Sequence, residues 1–323
     1  MPTTDLHLVV DIAAWWTTAA YESGDDVQPV LFDGRARTPS GVFHDDGVYH
    51  AGTAALTQGI ARPEDYRPDP MTLLRHGGPA EAVAAVLTHV AARTGGATAL
   101  TVITAQSWDL PARQRLEKAA DIARLPRPRV VTAAAAVASL TGEDVAVVCV
   151  PGPAWPELTL VDARDGQQRL TAATVRAPGA AAVDEALLRV AAVRAGADAD
   201  ADDWRLLWEI ERARSVLAVQ PRAAVLLPEP HQAVVVARED LAAATAVHLD
   251  RLADTVKQLL DDADLTPPDI GAVVLVGDDD QMAAALTGAG LAPTRTVRDP
   301  HAILRSAART RPPGRPSWPW RRR

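Results

Sequence analysis

The sequence predicts an α/β fold made of two similar halves. Strand segments with turn signals, a helix, a strand and a further helix follow one another in the first half, and the same order then repeats. A chain of 323 residues is long enough to give each half a core of its own. A repeated α/β unit of this kind favours a duplicated domain with a cleft between its halves.

In the first half, residues 6–12 form an apolar run that ends on Asp11 and Ile12, which is typical of a buried strand that brings a carboxylate to a sheet edge. Residues 29–50 alternate in polarity between turn signals and predict a β-meander. The remaining predictions are a helix at 79–94, strands at 98–104 and 129–132, an amphipathic helix at 111–124 and an Ala-rich helix at 133–140.

In the second half, a strand at 144–150 is followed by a hairpin, because an Asp-Gly turn signal separates two strand-like segments. An acidic loop, 197–203, separates two helices. The predictions comprise strands at 157–162, 168–175, 222–227, 232–237 and 271–277, and helices at 181–195, 202–218, 239–263, 280–290 and 302–309.

The composition narrows the kinds of site that are expected. Cys149 is the only cysteine, so no disulfide within the chain and no cysteine zinc site can form, and its apolar surroundings predict a buried side chain. The first residues do not resemble a signal peptide, and no apolar run approaches the length of a membrane span, so we expect a cytoplasmic protein.

The charge is distributed unevenly along the chain. The net charge is −8, yet the last fifteen residues hold six Arg and no acid. The acidic remainder is expected to repel nucleic acid, whereas the end of the chain is suited to an anionic membrane surface or an acidic partner. The residues proposed for this contact are Trp318, Trp320, Arg321, Arg322 and Arg323.

Five segments resemble the nucleotide-binding domain of DnaK-type heat-shock chaperones, in the actin/hexokinase-like ATPase superfamily. The clearest is TVITAQSWDLPARQRLEKAADIARLPRPRVVTAAAAVASLTG at 101–142. The others lie in the expected order, at 34–58, 62–75, 210–218 and 272–282. The resemblance implies a two-lobed actin-like ATPase fold with ribonuclease H-like halves. It places lobe I at 1–143 and lobe II with a reduced helical/β subdomain at 144–309. The composition of 310–323, rich in Pro, Arg and Trp, predicts a disordered basic tail.

The resemblance also implies a cleft for ATP or ADP with Mg²⁺, and there the sequence departs from the family. The first phosphate loop falls on Ala13, Ala14 and Trp15, where glycine would let backbone N–H groups approach phosphate and hydroxyls would add donors. The second falls on 149–156, where three prolines cannot donate an N–H. The family's lysine falls on Leu56 and its glutamate on Ala133 in this sequence.

The residues that the resemblance places around the adenosine are better retained than the phosphate loops, although the adenosine loop lacks a glycine and an arginine of the family. The positions that the resemblance places in the cleft are Asp11, Ala13, Ala14, Trp15, Gly152, Gly179, Glu211, Arg214, Gly277 and Asp278. None of them is assigned a catalytic or metal-binding role.

Single residues of this set have competing interpretations. Asp11 could position Mg²⁺ through water or simply cap a turn. Trp15 and Trp16 could plug the cleft and hold the lobes, or pack elsewhere. The acidic triplet 278–280 could bind a cation or favour a helix N-terminus.

Three functional hypotheses follow. The leading one is a DnaK-like pseudo-ATPase, without enzymatic activity or a required cofactor, which acts as a partner-binding or regulatory module for an unidentified protein. The alternatives are a divergent chaperone-type ATPase that hydrolyses ATP, and an adaptor tethered by residues 310–323 to a membrane or polyanion, peripheral at the membrane. In this sequence, residues 310–323 take the place of the peptide-binding domain that follows in a complete chaperone, so no client-binding module is expected.

Overall fold

The computed structural model describes residues 6–24, 26–105, 108–150, 157–165, 168–174, 180–196, 203–227, 233–277 and 280–310. The strands of the first half are β1 (Leu6–Ile12), β2 (Trp16–Ser23), β3 (Asp26–Pro29), β4 (Thr38–Pro39), β5 (Val42–Asp45), β6 (Val48–Ala51), β7 (Tyr66–Arg67), β8 (Ala99–Thr104) and β9 (Arg129–Thr132). Its helices are α1 (Thr53–Ala61), α2 (Pro70–Arg75), α3 (Ala80–Ala91), α4 (Leu110–Ile122) and α5 (Ala133–Ala138).

The second half also combines strands and helices. Its strands are β10 (Val145–Val150), β11 (Glu157–Asp162), β12 (Arg169–Thr174), β13 (Arg222–Leu226), β14 (Ala233–Ala237), β15 (Ala272–Val276) and β16 (Arg295–Val297). Its helices are α6 (Ala180–Ala195), α7 (Trp204–Leu217), α8 (Arg238–Asp261), α9 (Asp280–Gly288) and α10 (Pro300–Arg309). Short 3-10 turns lie at Pro63–Asp65 and Pro267–Asp269.

The two halves contain sheets of matching topology. The first sheet has the order β3-β2-β1-β8-β9, with β4 added beside β2, and the second has the order β12-β11-β10-β15-β16. In each sheet the first three strands of the half are antiparallel neighbours, and the last two run parallel to the first. The predicted α/β class is confirmed, whereas the actin-like assignment remains a prediction.

The sheets and helices form alternating layers. Helices α3 and α4 cover the outer face of the first sheet, where Leu87 and Leu116 pack in one core with Leu8 and Val10. Helices α8 and α9 cover the outer face of the second sheet, around Leu275. Because successive strand residues face opposite sides, Asp11 shares with Val9 the face that is turned toward the second half.

Helices α5 and α10 lie between the two sheets. The short α5 follows the first sheet and contacts β10 and β11 of the second, whereas α10 follows the second sheet and returns to β1 and β2 of the first. At their crossing, the hydroxyl oxygens of Ser139 and Ser306 lie 2.6 Å apart, and the Ser306 hydroxyl lies 2.6 Å from the carbonyl oxygen of Ala136, to which it donates. The helix that ends each half thus packs against the sheet of the other half, and these contacts join the two halves.

A guanidinium group fastens the end of α10 to the first sheet. Arg129 in β9 donates to the carbonyl oxygens of Ala307 and Ala308, at 2.6 and 3.3 Å, and also to that of Thr310. Its Nε atom donates to Thr101, 3.0 Å away. The carbonyls at the end of a helix have no partner within the helix, so these bonds satisfy groups that would otherwise require water.

Each half also carries a smaller unit. In the first, β5, β6 and β7 form a three-stranded sheet next to α1. In the second, α6 and α7 pack on the β13–β14 hairpin through Leu187, Ile210 and Val236. No helix among the residues that the structure describes is long and apolar enough to cross a membrane.

Most predicted elements are confirmed, including the β11–β12 and β13–β14 pairings, and Cys149 is fully buried. The sequence reading missed β2, β3, α1, α2 and the short strands β7 and β16. The predicted meander at 29–50 is wrong in part. After Pro29 only 38–39, 42–45 and 48–50 of this range lie in strands, and β4 belongs to a different sheet from β5 and β6. Tertiary pairing decides such short segments, and alternation alone cannot assign them to a sheet.

Candidate functional site

The turn between β1 and β2 occupies the place of the predicted first phosphate loop. The N–H of Ala13 donates to the carbonyl oxygen of Trp16 over 3.1 Å, and the carbonyl of Trp15 accepts from the N–H of Ser40 over 3.0 Å. Ala13 is exposed, whereas Ala14 and Trp15 are half-buried. The turn therefore uses backbone groups of its own to close the hairpin, and Ala13 has no N–H left for a phosphate oxygen.

Aromatic side chains join this turn to the second half. The ring of Trp208 in α7 lies 5.5 Å from that of Trp15 in an edge-on arrangement and 5.0 Å from that of Trp16 in a tilted one. The guanidinium of Arg37 lies 4.0 Å from the centre of the Trp16 ring. Edge-on and tilted ring pairs and a cation over an indole face are favourable contacts.

One helical turn earlier, Trp204 makes a second contact between the halves. Its ring lies 4.4 Å from that of Tyr66, and its indole N–H donates to the carbonyl oxygen of Pro63 over 3.2 Å. Trp204 is buried together with Phe43 and Ala55 of the small sheet and α1. We call Trp15, Trp16, Trp204 and Trp208 the tryptophan clamp, because they connect the first half to α7 of the second.

The local sequence explains how α7 presents its two indoles. Residues four apart lie on the same face of a helix, so Trp204 and Trp208 point to the same side. The helix begins after Asp203, whose carboxylate accepts from the N–H of Arg205 over 2.9 Å and is held by the Arg205 guanidinium. The capped start places the first indole at the surface of the small sheet.

Asp11 lies near the carboxyl end of β1, paired with Thr18 of β2 and Ile103 of β8. Desolvation by the surrounding protein raises the pKa of Asp11 to about 6. Within the part of the chain that the structure describes, its carboxylate has neither a hydrogen-bond donor nor a cationic partner. Neither the Mg²⁺ interpretation nor the turn-cap interpretation of this residue receives a contact in support.

Glu211 and Arg214 come together with Asp184, a residue of α6 that sequence reasoning missed. The Arg214 Nε atom lies 3.4 Å from Asp184 Oδ1, and the hydroxyl of Ser215 donates to Glu211 over 3.3 Å. Asp184 is 3% exposed, and burial raises its pKa to about 7, with Arg214 lowering it and Glu211 raising it. The guanidinium of Arg214 is thus drawn toward a carboxylate of its own subdomain.

Gly277 follows β15 with a φ of 91°, a left-handed conformation that glycine adopts readily. Its N–H donates to the carbonyl oxygen of Val297 over 2.9 Å. Several predicted site residues lie outside the described residues. These are Gly152, Gly179 and Asp278, and the tail residues Trp318, Trp320, Arg321, Arg322 and Arg323.

The structure therefore brings some of the predicted residues together and leaves others apart. Trp15 reaches α7, the helix that also carries Glu211 and Arg214. Among the described residues, no hydrogen bond or ion pair joins Asp11 to Glu211, Arg214 or Gly277. The same part of the chain contains no group of three or more His, Cys, Asp or Glu side chains that could hold a metal ion.

Sequence reasoning missed the two helix tryptophans of the clamp and the other residues that contact the clamp. Trp204, Trp208, Arg37 and Tyr66 were not among the candidates, although the spacing of the two helix tryptophans was a usable signal.

Neither models of known protein families nor curated proteins match this chain.

Proposed function

We propose that the protein is a DnaK-like pseudo-ATPase of actin-like architecture, which no longer hydrolyses ATP and acts as a partner-binding or regulatory module. The observation that carries the proposal is the tryptophan clamp. Trp208 packs on both indoles of the turn that, by resemblance, corresponds to a phosphate loop. An enzyme that transfers phosphoryl groups depends on several donors placed around the phosphates. Each indole ring carries a single N–H, and here the rings of Trp15 and Trp16 pack against Trp208.

The backbone of the same turn supports this proposal independently. Its Ala13 N–H is already bonded to Trp16, and the desolvated Asp11 has no ion partner in the described residues. Removal of a single well-placed donor commonly lowers a catalytic rate about 10²–10³-fold. By the same resemblance, this chain lacks the loop glycines, has Leu56 in place of the family's lysine and has Ala133 in place of its glutamate. Several such groups are therefore missing together.

The adenosine side gives weak support to the alternative of a divergent ATPase. Glu211 and Arg214 are present, but the arginine lies 3.4 Å from the buried Asp184, and Glu211 is itself buried. A bound nucleotide would have to draw Arg214 away from Asp184, and the Asp184 carboxylate would then lack its cationic partner. The matching sheets and the exchanged helices α5 and α10 are compatible with the two-lobed shape that a partner would recognise.

Titration with ATP, ADP and Mg²⁺, followed by thermal unfolding and calorimetry, tests the proposal. A site filled at about 100 times its Kd would stabilise the protein by about 2.7 kcal/mol, which is readily measured. We expect no shift of the unfolding temperature and no release of phosphate. Micromolar affinity together with turnover would refute the proposal and favour the chaperone-type ATPase.

A further inference from the structure

A groove lies where α5, β12 and α10 meet, away from the tryptophan clamp. It has a volume of about 500 Å³, which is in the range of ligand-binding clefts. Its lining residues are Ser139, Leu140, Gln168, Arg305, Ser306, Arg309 and Thr310. Both arginines and Gln168 are exposed, so their donors are accessible from solvent.

The charged side chains that line this groove are both arginines. Arg309 has no carboxylate partner among the residues that the structure describes. Arg305 forms an ion pair with Asp299, with 2.8 Å between the guanidinium nitrogen and the carboxylate oxygen. Arg295 stands beside them and donates to the carbonyl oxygen of Leu140. Residues 295–323 contain nine Arg and one acid, whereas residues 1–294 contain 24 basic and 40 acidic side chains. The groove therefore carries two guanidinium groups, and its lining includes part of the most cationic stretch of an otherwise acidic sequence.

The spacing of the two guanidinium groups suits an extended acidic chain. Arg305 and Arg309 are four residues apart in α10, so they lie on one face with about 5–6 Å between their Cβ atoms. In an extended peptide, alternate side chains share a face and repeat every ~6.8 Å. Carboxylates at positions i and i+2 can therefore each meet one guanidinium, and the exposed Gln168 amide can bond to the peptide backbone.

Other occupants fit less well. The chain's own residues 311–323 contain five Arg and no acid, so like charge disfavours them in this groove. A flat bilayer surface would touch the rim of a concave groove and leave its floor uncovered. Nucleic acid would be repelled by the acidic surface that makes up the rest of the protein.

We infer that this groove binds an acidic, extended peptide segment of a protein partner, with Arg305 and Arg309 as its anchors. The inference rests on the proposed role as a partner-binding module and gives that partner a chemical class. Nucleotide plays no part in it, so its test is separable from the test of hydrolysis.

Fluorescence anisotropy with a labelled peptide tests the inference on the full-length protein. The probe alternates Glu and Ala over about twelve residues, and the matched control alternates Gln and Ala. We expect the acidic peptide to bind more weakly as salt rises, because screening shortens the reach of the charges. The Gln peptide should bind at least about tenfold more weakly.

Three full-length variants locate the site. The groove variant carries Arg305→Glu and Arg309→Glu, and a charge-matched control carries Arg35→Glu and Arg222→Glu at exposed positions without a carboxylate partner among the described residues. The third variant has Gln in place of Arg311, Arg315, Arg321, Arg322 and Arg323. Circular dichroism verifies that each is folded.

We expect the groove variant to lose at least about tenfold in affinity for the acidic peptide, and the other two variants to change less than about threefold. An equal loss in the charge-matched control would overturn the inference, as would a loss confined to the variant of residues 311–323. Absence of peptide binding would also overturn it, whether or not vesicles rich in phosphatidylserine bind the protein.

Discussion

Trp208 contacts both indoles of the β1–β2 turn, and its own helix belongs to the other half of the molecule. The Trp16 indole is further covered by the Arg37 guanidinium, although its N–H has no hydrogen-bond partner in the described part of the chain. A donor left unsatisfied in a buried position costs free energy, so the packing of the rings has to offset this cost. A substitution of Trp208 therefore measures how much the packing of the rings stabilises the protein.

Trp208→Ala should lower the free energy of unfolding by about 2 kcal/mol, because a half-buried indole and two ring contacts are lost. Urea unfolding monitored by far-UV circular dichroism measures the change. Val193→Ala, at a position that is 80% exposed in α6, is the control and should be nearly neutral. An equally small effect at Trp208 would show that the clamp does not stabilise the fold.

Asp184 gives the protein a predictable dependence on pH. Its pKa is raised to about 7 in the folded protein, against an ordinary value of 3.8, so the folded state holds the proton more tightly than the unfolded state. The stability that this proton contributes is present below about pH 4 and is lost as the pH rises to about 7. Asp11, with a pKa raised to about 6, acts in the same direction.

The variant Asp184→Asn removes this titration. From pH 5 to pH 8 the wild type should lose about 2–3 kcal/mol of stability relative to the variant, at 1.36 kcal/mol for each pKa unit. Urea unfolding at the two pH values measures this difference. Asp162→Asn is the matched control, because Arg164 holds the pKa of Asp162 at about 2 and the group stays ionised throughout. A gap between wild type and Asp184→Asn that stays constant with pH would contradict the account.

At the scale of elements, the crossing of α5 and α10 depends on small side chains. Helix α5 has the sequence AAAAVA, and its residues Ala136 and Val137 are fully buried. The hydroxyls of Ser139 and Ser306 bridge the two helices. Small residues let the helix backbones approach closely enough for these bonds, so added volume should force the helices apart.

Ala136→Leu should therefore destabilise the protein by about 1–3 kcal/mol through overpacking. Ala92→Leu, at the exposed end of α3, adds the same volume outside the core and serves as the control. Chemical unfolding compares the two variants. Similar stabilities for both would mean that the helix crossing tolerates expansion, in conflict with the packing described here.

The elements differ in how far the sequence could predict them. Long periodic segments such as α3, α4 and α8, and apolar runs such as β1 and β10, carry clear signals of their own. Strand β2 begins with Trp16 and continues with Thr and Ala, and its place in the sheet follows from pairing with β1. The three residues of β16 are a strand only because they pair with β15, which no local pattern reveals.

The candidate site was predictable only in part. Glycines, prolines and lost polar groups could be read from the resemblance, since each residue type either can or cannot donate to a phosphate. The partners of Trp15 and Trp16 could not, because Trp208 is nearly 200 positions away in the sequence. The raised pKa of Asp184 was equally hidden, since burial and the distance to Arg214 exist only in the folded chain.

At the scale of the whole molecule, two sheets of equal strand order face each other across α5 and α10, and the clamp joins the halves a second time. Two separate connections oppose a change in the angle between the halves. A nucleotide-driven machine needs such a change, whereas a recognition module benefits from a fixed shape. We therefore expect a single arrangement of the halves.

Spin labels at Thr57→Cys in α1 and Arg212→Cys in α7 place one exposed reporter in each half, and Cys149 is too buried to be labelled. The same labels in a protein that also carries Trp15→Ala and Trp208→Ala should give a broader distance distribution, as the clamp is then released.

The distance between the two labels, measured by double electron–electron resonance with and without saturating ATP and Mg²⁺, tests the central claim most directly. If the protein is the clamped pseudo-ATPase proposed above, we expect one narrow distribution that nucleotide leaves unchanged. A second distance, or a shift of several ångströms on addition of ATP, would contradict it and identify an active, nucleotide-driven protein.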